Sequence, residues 1–311
     1  MATPSSMQGR VVVITGASSG IGLETARGLA ARGAHTVMVG RGDDRIRAIA
    51  AEVARASGNP AVDGIGVTDL ALRGSWASLS DQLHARYPAI HVLINNAGAY
   101  FARREVTSDG IERTFALNVL APLALMTLLA DRLKSSSPAR VINVASAAHG
   151  GNVVDLQDLQ GARAFSGFRA YGRSKLELIL LTREFARRFT GTGVTVNALH
   201  PGFIRSGFGQ NNGGWVAFGI RLAAVLGAKN VKTGALTPLR VACDPDLANV
   251  TGEYFSDGKA IPGSAASRDL EMARRLYAAC LPFLELPAVP EPPDLPPIRQ
   301  PPGPVVIPSP A

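Results

Sequence analysis

Near the start of the chain a β-prone run, Val11 to Thr15, passes without a break into Gly16-Ala17-Ser18-Ser19-Gly20-Ile21-Gly22, and helical periodicity begins inside that pattern. Few folds accept this order. Glycines there permit a tight turn and close backbone approach, and the unpaired N–H groups of a helix start favour a pyrophosphate. The segment therefore predicts a βαβ unit with a dinucleotide cradle formed by Gly16, Ser18, Ser19, Gly20, Ile21 and Gly22.

The pattern continues. Short β-rich runs at residues 10–15, 35–40, 61–67, 90–95, 140–146 and 193–199, with a short seventh at 253–256, alternate with amphipathic stretches at 20–32, 43–57, 73–87, 109–134 and 171–189. Alternation of this kind is the signature of a parallel sheet covered on both faces. The expected fold is α/β: a Rossmann-type doubly wound parallel sheet of about seven strands in a single domain, residues 9–281, including a C-terminal helix at 266–279. Residues 282–311 hold twelve of the 21 prolines and are expected to form an extended or disordered tail. Irregular stretches at 147–170 and 203–232 have the length of lids or binding loops.

Composition narrows the partners. With 46% hydrophobic and 18% charged residues among 311, the chain can build a large core. Its longest apolar runs, such as Val11–Ile14 and 120–130, fall short of the roughly 20 residues of a membrane span, so no integral membrane segment is expected. The polar residues 1–9 lack the apolar stretch of a secretory signal, and the expected location is cytoplasmic. A formal charge of +8 raises the question of nucleic acid, but the basic residues are scattered and mostly arginine, with lysine only at 134, 175, 229, 232 and 259. No nucleic-acid partner is expected. Cys243 and Cys280 lack metal-ligand spacing, so neither zinc nor a disulfide framework is expected.

The end of the second strand sets cofactor choice, because a carboxylate there accepts hydrogen bonds from a free ribose 2′-OH. This strand ends Val39-Gly40-Arg41. A guanidinium beside the place of the missing acid suits a 2′-phosphate, which favours NADP(H) over NAD(H). The alternative is a solvated arginine opening the next helix, as Arg45 and Arg47 illustrate.

Tyr171 and Lys175, four residues apart at the start of a predicted helix, share one face. A phenol titrating near 10 is a poor acid–base group at neutrality, but an adjacent ammonium and a positively charged nicotinamide would stabilise its phenolate. By itself such a pair is common on surface helices.

The full set of motifs is not common. Thr15-Gly-x-x-x-Gly-x-Gly22, Asn95-Asn96-Ala97-Gly98, Asn118, Ser146, Tyr171-x-x-x-Lys175 and Pro201-Gly202 occur in the order found in the short-chain dehydrogenase/reductase family, which the chain resembles over about residues 9–280. Residues 140–206 and the stretch Gly252-Glu-Tyr-Phe-Ser-Asp257 look most like its retinol-dehydrogenase-like branch. The resemblance implies Tyr171 as the acid–base residue, Ser146 hydrogen-bonding the reacting oxygen, Lys175 holding the nicotinamide ribose and lowering the tyrosine pKa, and Asn118 supporting a relay water. It also implies that Asp69 and Leu70 border the adenine, Asn96, Ala97 and Gly98 the adjacent ribose, and Pro201, Gly202, Ile204 and Ser206 the nicotinamide end.

Ala145 replaces the first serine of the pair common in that branch, and Val119-Leu120-Ala121-Pro122 follows Asn118 where retinoid enzymes often carry histidines. Retinol is therefore not implied as the substrate. Phe203, Phe208, Trp215 and Phe218, set among glycines, suit a mobile apolar lid and a medium-to-bulky hydrophobic carbonyl or alcohol, although they could equally be core. An NADP-linked enzyme would tend toward carbonyl reduction. His149 and His200 lie near the expected site, His200 as a structural residue. Many relatives pair through the helices carrying Asn118 and Tyr171, which would make a homo-oligomer, whereas the added C-terminal helix of the retinol-dehydrogenase-like branch leaves a monomer as the alternative. The competing function is a nucleotide-sensing regulatory protein without turnover, which has no chemical need for Tyr171.

Overall fold

A computed structural model describes residues 6–202 and 230–290 of the chain. Its centre is one eight-stranded sheet in the order β3-β2-β1-β4-β5-β6-β7-β8. The strands are β1 Val11–Thr15, β2 His35–Arg41, β3 Val62–Val67, β4 Val92–Asn95, β5 Ala139–Val144, β6 Val194–His200, β7 Tyr254–Ser256 and β8 Lys259–Ile261. Neighbouring strands run parallel from β3 through β7, and β8 pairs antiparallel with β7.

The expected doubly wound sheet is present, with one strand more than the expected seven. β8 is three exposed residues long, too short to show periodicity. It is formed by a two-residue hairpin turn in which Asp257 and Gly258 both take positive φ, 47° and 75°.

β1 is buried almost throughout, which explains its unbroken apolar sequence. Successive side chains point to opposite faces. Val12 and Ile14 join one core with α1 (Gly20–Ala30) and α2 (Asp43–Ser57), while Val13 joins the other with α3 (Arg73–Arg86) and α7 (Gly167–Arg188). Strand order reverses at β1, whose neighbours are β2 and β4. A crevice at the carboxyl ends of β1 and β4 is the usual ligand position in such sheets.

The single helix expected at 109–134 is instead four pieces: α4 (Arg113–Phe115), a π-helical turn Ala116–Leu120, α5 (Ala121–Leu128) and α6 (Ala130–Ser135). Glu112 caps the start, accepting from the N–H groups of Thr114 and Phe115 at 2.9 Å each. Pro122 lacks the N–H that would close an α-helical bond on the Asn118 carbonyl, and the Ala121 N–H bonds Ala116 instead, five residues back. The widened turn carries Asn118.

After β6 come α8 (Val231–Gly234), α9 (Leu236–Cys243) and, beyond the hairpin, α10 (Leu270–Leu284). Asp269 caps α10 by accepting from Met272 N–H at 2.8 Å. Pro282, expected to begin an extended segment, lies in the last turn of α10, where one lost backbone bond is tolerated. The chain beyond it stays packed as far as Val289, whose N–H donates to the Tyr277 hydroxyl at 2.8 Å. α10 covers α7, with the Arg188 guanidinium 4.0 Å from the Tyr277 ring centroid.

Candidate active site

The cradle forms as the glycine pattern predicts. Gly16 (φ 66°) and Gly20 (φ 57°) occupy the left-handed region that glycine alone adopts cheaply. Gly22 serves close approach, since a Cβ there would lie 2.3 Å from the Gly16 carbonyl oxygen and 2.5 Å from Asn96 Nδ2. Ser19 is the N-cap of α1 and makes no side-chain capping bond, so the helix start is presented to a ligand by Ser18, Ser19, Gly20 and Ile21.

Asn96 fastens this turn. Its Nδ2 donates to the carbonyls of Thr15 (2.9 Å) and Gly16 (3.2 Å), while its own N–H and that of Ala97 donate to Thr15 Oγ1 at 3.1 and 3.0 Å. The Asn96 side chain therefore shapes the crevice, and the adjoining backbone of Ala97 and Gly98 borders it. A cradle that a single Cβ would fill, lined by N–H groups at a helix start, fits a dinucleotide pyrophosphate.

Arg41 is the exposed last residue of β2, paired in register with Val67, and makes no ion pair with any described residue. Just beyond β3, next to β2, Asp69 is engaged, its Oδ2 2.6 Å from an Arg113 guanidinium nitrogen and its Oδ1 accepting from Ala71 N–H at 3.0 Å. Leu70 is buried, and its carbonyl accepts from the Trp76 indole at 2.7 Å. Pro201 and Gly202 follow β6 at the same sheet edge, Gly202 with φ 93°. Ile204, Ser206 and the aromatic residues Phe203, Phe208, Trp215 and Phe218 lie outside the described residues.

The four candidate catalytic residues converge. A buried ladder sets α7 against the sheet: Asn95 Nδ2 donates to Asn143 Oδ1 (2.8 Å), and Asn143 Nδ2 donates to Thr182 Oγ1 on α7 (2.9 Å). Farther along, Gly172 lets α7 press onto the turn Ala147–His149, since a Cβ would lie 2.5 Å from Asn152 Nδ2 and 2.7 Å from the Ala148 carbonyl oxygen. That approach brings Tyr171 to Ser146, whose hydroxyl hydrogen-bonds the phenol. Ser146 Oγ also accepts from Ala148 N–H at 3.2 Å.

Lys175 is 4% exposed, its Nζ donating to the Val144 carbonyl at 3.0 Å and lying 5.6 Å from the Tyr171 ring centroid. Asn118, fully buried on the π-helical turn, accepts from Ala99 N–H at 3.0 Å and donates to the Ala99 carbonyl (2.9 Å) and to Ser174 Oγ (3.0 Å). Lys175 and Asn118 meet over Gly98, where a Cβ would lie 3.1 Å from Lys175 Nζ and 3.2 Å from Asn118 Oδ1.

Burial dominates the electrostatics of the pair. Burial pushes Tyr171 up to about 12, opposed by the bond from Ser146. Burial also pushes Lys175 down to about 8, since desolvation disfavours its ammonium, whose Nζ donates to the Val144 carbonyl. Both groups are poised toward neutrality.

Two aromatic neighbours escaped the sequence reading. The Tyr100 ring meets Tyr171 edge to face at a centroid distance of 6.3 Å. Tyr254 on β7 is 1% exposed with a buried hydroxyl that bonds no described residue, and burial, with Tyr171 nearby, raises its pKa. Tyr254 lay within a stretch quoted for its family likeness, but only the folded chain brings it to Tyr171.

Comparison with known proteins agrees with the geometry. Residues 10–216 match the family described as short chain dehydrogenase. The chain is 39% identical over 269 residues to retinol dehydrogenase 12 of Mus musculus, covering 86% of this chain and 84% of that protein. Its fold resembles that of an uncharacterized protein from Mycobacterium paratuberculosis (TM-score 0.73, 29% identity, 91% of this chain and 96% of the other). It also resembles the NADP active-site complex of Pseudomonas aeruginosa RhlG (TM-score 0.66, 26% identity, 82% of this chain and 98% of the other). Motif order, sheet topology and sequence likeness converge: the chain belongs to the short-chain dehydrogenase family of oxidoreductases, in its retinol-dehydrogenase-like branch.

Proposed function

We propose that this protein is an NADP(H)-dependent oxidoreductase that interconverts a carbonyl and an alcohol on a medium-to-bulky hydrophobic substrate, with Tyr171 as the acid–base residue. The observation that carries the reading is the contact of Tyr171 with Ser146 on one side and Lys175 beneath, beside the cradle of Gly16 to Gly22.

A nicotinamide held between that cradle and Lys175 would supply the hydride in reduction and accept it in oxidation. In reduction, the Tyr171 hydroxyl gives its proton to the substrate oxygen as that oxygen gains negative charge, and the Ser146 hydroxyl donates a hydrogen bond to the same atom. Oxidation reverses both. The Lys175 ammonium offsets the charge left on the Tyr171 oxygen, and Asn118, bonded to Ala99 and Ser174, holds the adjoining backbone still while protons are exchanged.

NADP(H) is favoured by Arg41, exposed at the β2 terminus without an ion-pair partner among the described residues, and by the NADP bound to the Pseudomonas aeruginosa relative. A hydrophobic substrate is favoured by Phe168 and Val153, 69% and 76% exposed on the two segments that carry Tyr171 and Ser146. The names of the relatives point to a bulky apolar alcohol as well.

The test is a panel of aldehydes, ketones and polycyclic carbonyls, with NADPH and NADH consumption followed in parallel. NADPH-dependent reduction of the larger apolar members supports the proposal. A clear NADH preference, or turnover confined to small polar carbonyls, contradicts it.

A further inference from the structure

His149 is buried, and both of its ring nitrogens are engaged. Nε2 receives the Ser264 backbone N–H at 3.1 Å, and Nδ1 lies 2.8 Å from the Ser146 carbonyl oxygen. A backbone N–H can only donate, so Nε2 is the acceptor. The proton is therefore on Nδ1, which donates to the Ser146 carbonyl, and the ring is neutral. Ser146 is thus gripped twice by one residue, because the His149 backbone N–H donates to the same carbonyl at 3.2 Å.

The far end of this link is built for it. Ser264 lies in the connection between β8 and α10. Gly263, at φ 71°, brings that connection against the ring, since a Cβ there would lie 3.5 Å from His149 Nε2, 3.5 Å from Tyr254 Cδ1 and 2.7 Å from Ser267 Oγ. Tyr254 closes the remaining side, its ring edge to face with the imidazole at 4.9 Å.

We propose that His149 is a positioning residue for Ser146: a neutral imidazole, its tautomer set by the Ser264 amide, that holds the Ser146 backbone so that its hydroxyl points at the reacting oxygen. The segment from β8 to α10, far from Ser146 in sequence, thereby helps to set the geometry of the site. This inference rests on the role given to Ser146 above.

The test compares kcat, KM and NADPH affinity in Ser146→Ala, His149→Phe and His149→Asn. Phenylalanine keeps the ring contact with Tyr254 and removes both side-chain bonds, while asparagine places an N–H donor close to the position of Nδ1. His149→Phe is expected to lower kcat about 10- to 100-fold, the cost of a displacement of around 1 Å at a reacting group. Its NADPH dissociation constant should stay within about twofold of wild type, which also reports an intact fold, and His149→Asn should recover roughly tenfold of the lost kcat. If Ser146→Ala is inactive and His149→Phe keeps its kcat, His149 is no positioning residue. Equal losses in the Phe and Asn variants would reduce the imidazole to packing. Full activity in Ser146→Ala would instead remove the role of Ser146, and this inference with it.

Discussion

Lys175 Nζ sits 5.6 Å from the centre of the Tyr171 ring while donating to the Val144 carbonyl, so the cation is fixed beneath the phenol by the end of a sheet strand. Among the described residues its partner is this backbone carbonyl, and no ion pair to a carboxylate forms. Burial of this ammonium lowers its pKa to about 8, and its position leaves it able to respond to charge on the phenol oxygen.

The close approach at Gly98 makes a separable prediction. Gly98→Ala would place a methyl group 3.1 Å from Lys175 Nζ and 3.2 Å from Asn118 Oδ1. Steady-state kinetics should show kcat reduced by about 5- to 150-fold, from about 1–3 kcal/mol of displacement at the ammonium, with a stability loss of similar size. Gly22→Ala, by contrast, strikes the Gly16 carbonyl oxygen in the cradle, and should weaken NADPH binding by about 10-fold or more in a fluorescence titration.

Arg41 carries the cofactor preference. Removing a charge-assisted contact to a 2′-phosphate costs about 1.5–3 kcal/mol. Arg41→Ala should therefore raise the dissociation constant for NADPH roughly 10- to 100-fold and leave that for NADH nearly unchanged. Equal effects on both cofactors would assign Arg41 to the solvated surface.

Glu177 provides a stability test away from the chemistry. It is 1% exposed on α7, with the Arg173 guanidinium 3.6 Å away, and burial pushes its carboxyl up to about 8. A carboxyl raised in the folded state binds more protons there than in the unfolded chain. Its contribution to stability is complete below the unfolded value of 4.5 and is lost as pH climbs through about 8. Glu177→Gln mimics the neutral form, so its Tm should match wild type near pH 4.5 and exceed it by roughly 4 °C or more at pH 8.5.

Much of the fold was legible because β1 reads as an unbroken apolar run, β2 and β6 are buried at nearly every position and mostly β-prone, and helices such as α2 show one apolar stripe. The motif residues were legible for a related reason: a turn needing Gly16 and Gly20 at positive φ leaves little choice of residue. The π-helical turn at Ala116–Leu120 was not, since periodicity cannot distinguish it from a continuous helix and its one local sign is Pro122. β8 was readable from Asp257-Gly258, a two-residue hairpin signal after a short strand, but its own residues are exposed and carry no pattern. The role of His149 has no sequence signature, because its partners Ser146 and Ser264 belong to segments that meet only in three dimensions. The burial of Lys175 was not legible for a similar reason: the sequence shows an ammonium four residues from Tyr171, and only the structure shows that its side chain is desolvated against β5.

Proton exchange at Tyr171 is the central claim, and single-turnover kinetics of Tyr171→Phe with NADPH and a reducible hydrophobic carbonyl tests it most directly. The phenyl ring preserves the contact with Tyr100 and removes only the hydroxyl. The account predicts a hydride-transfer rate at least about 100-fold below wild type, as general acid catalysis is lost, with NADPH binding unchanged. A variant that transfers hydride within a few-fold of the wild-type rate would contradict it.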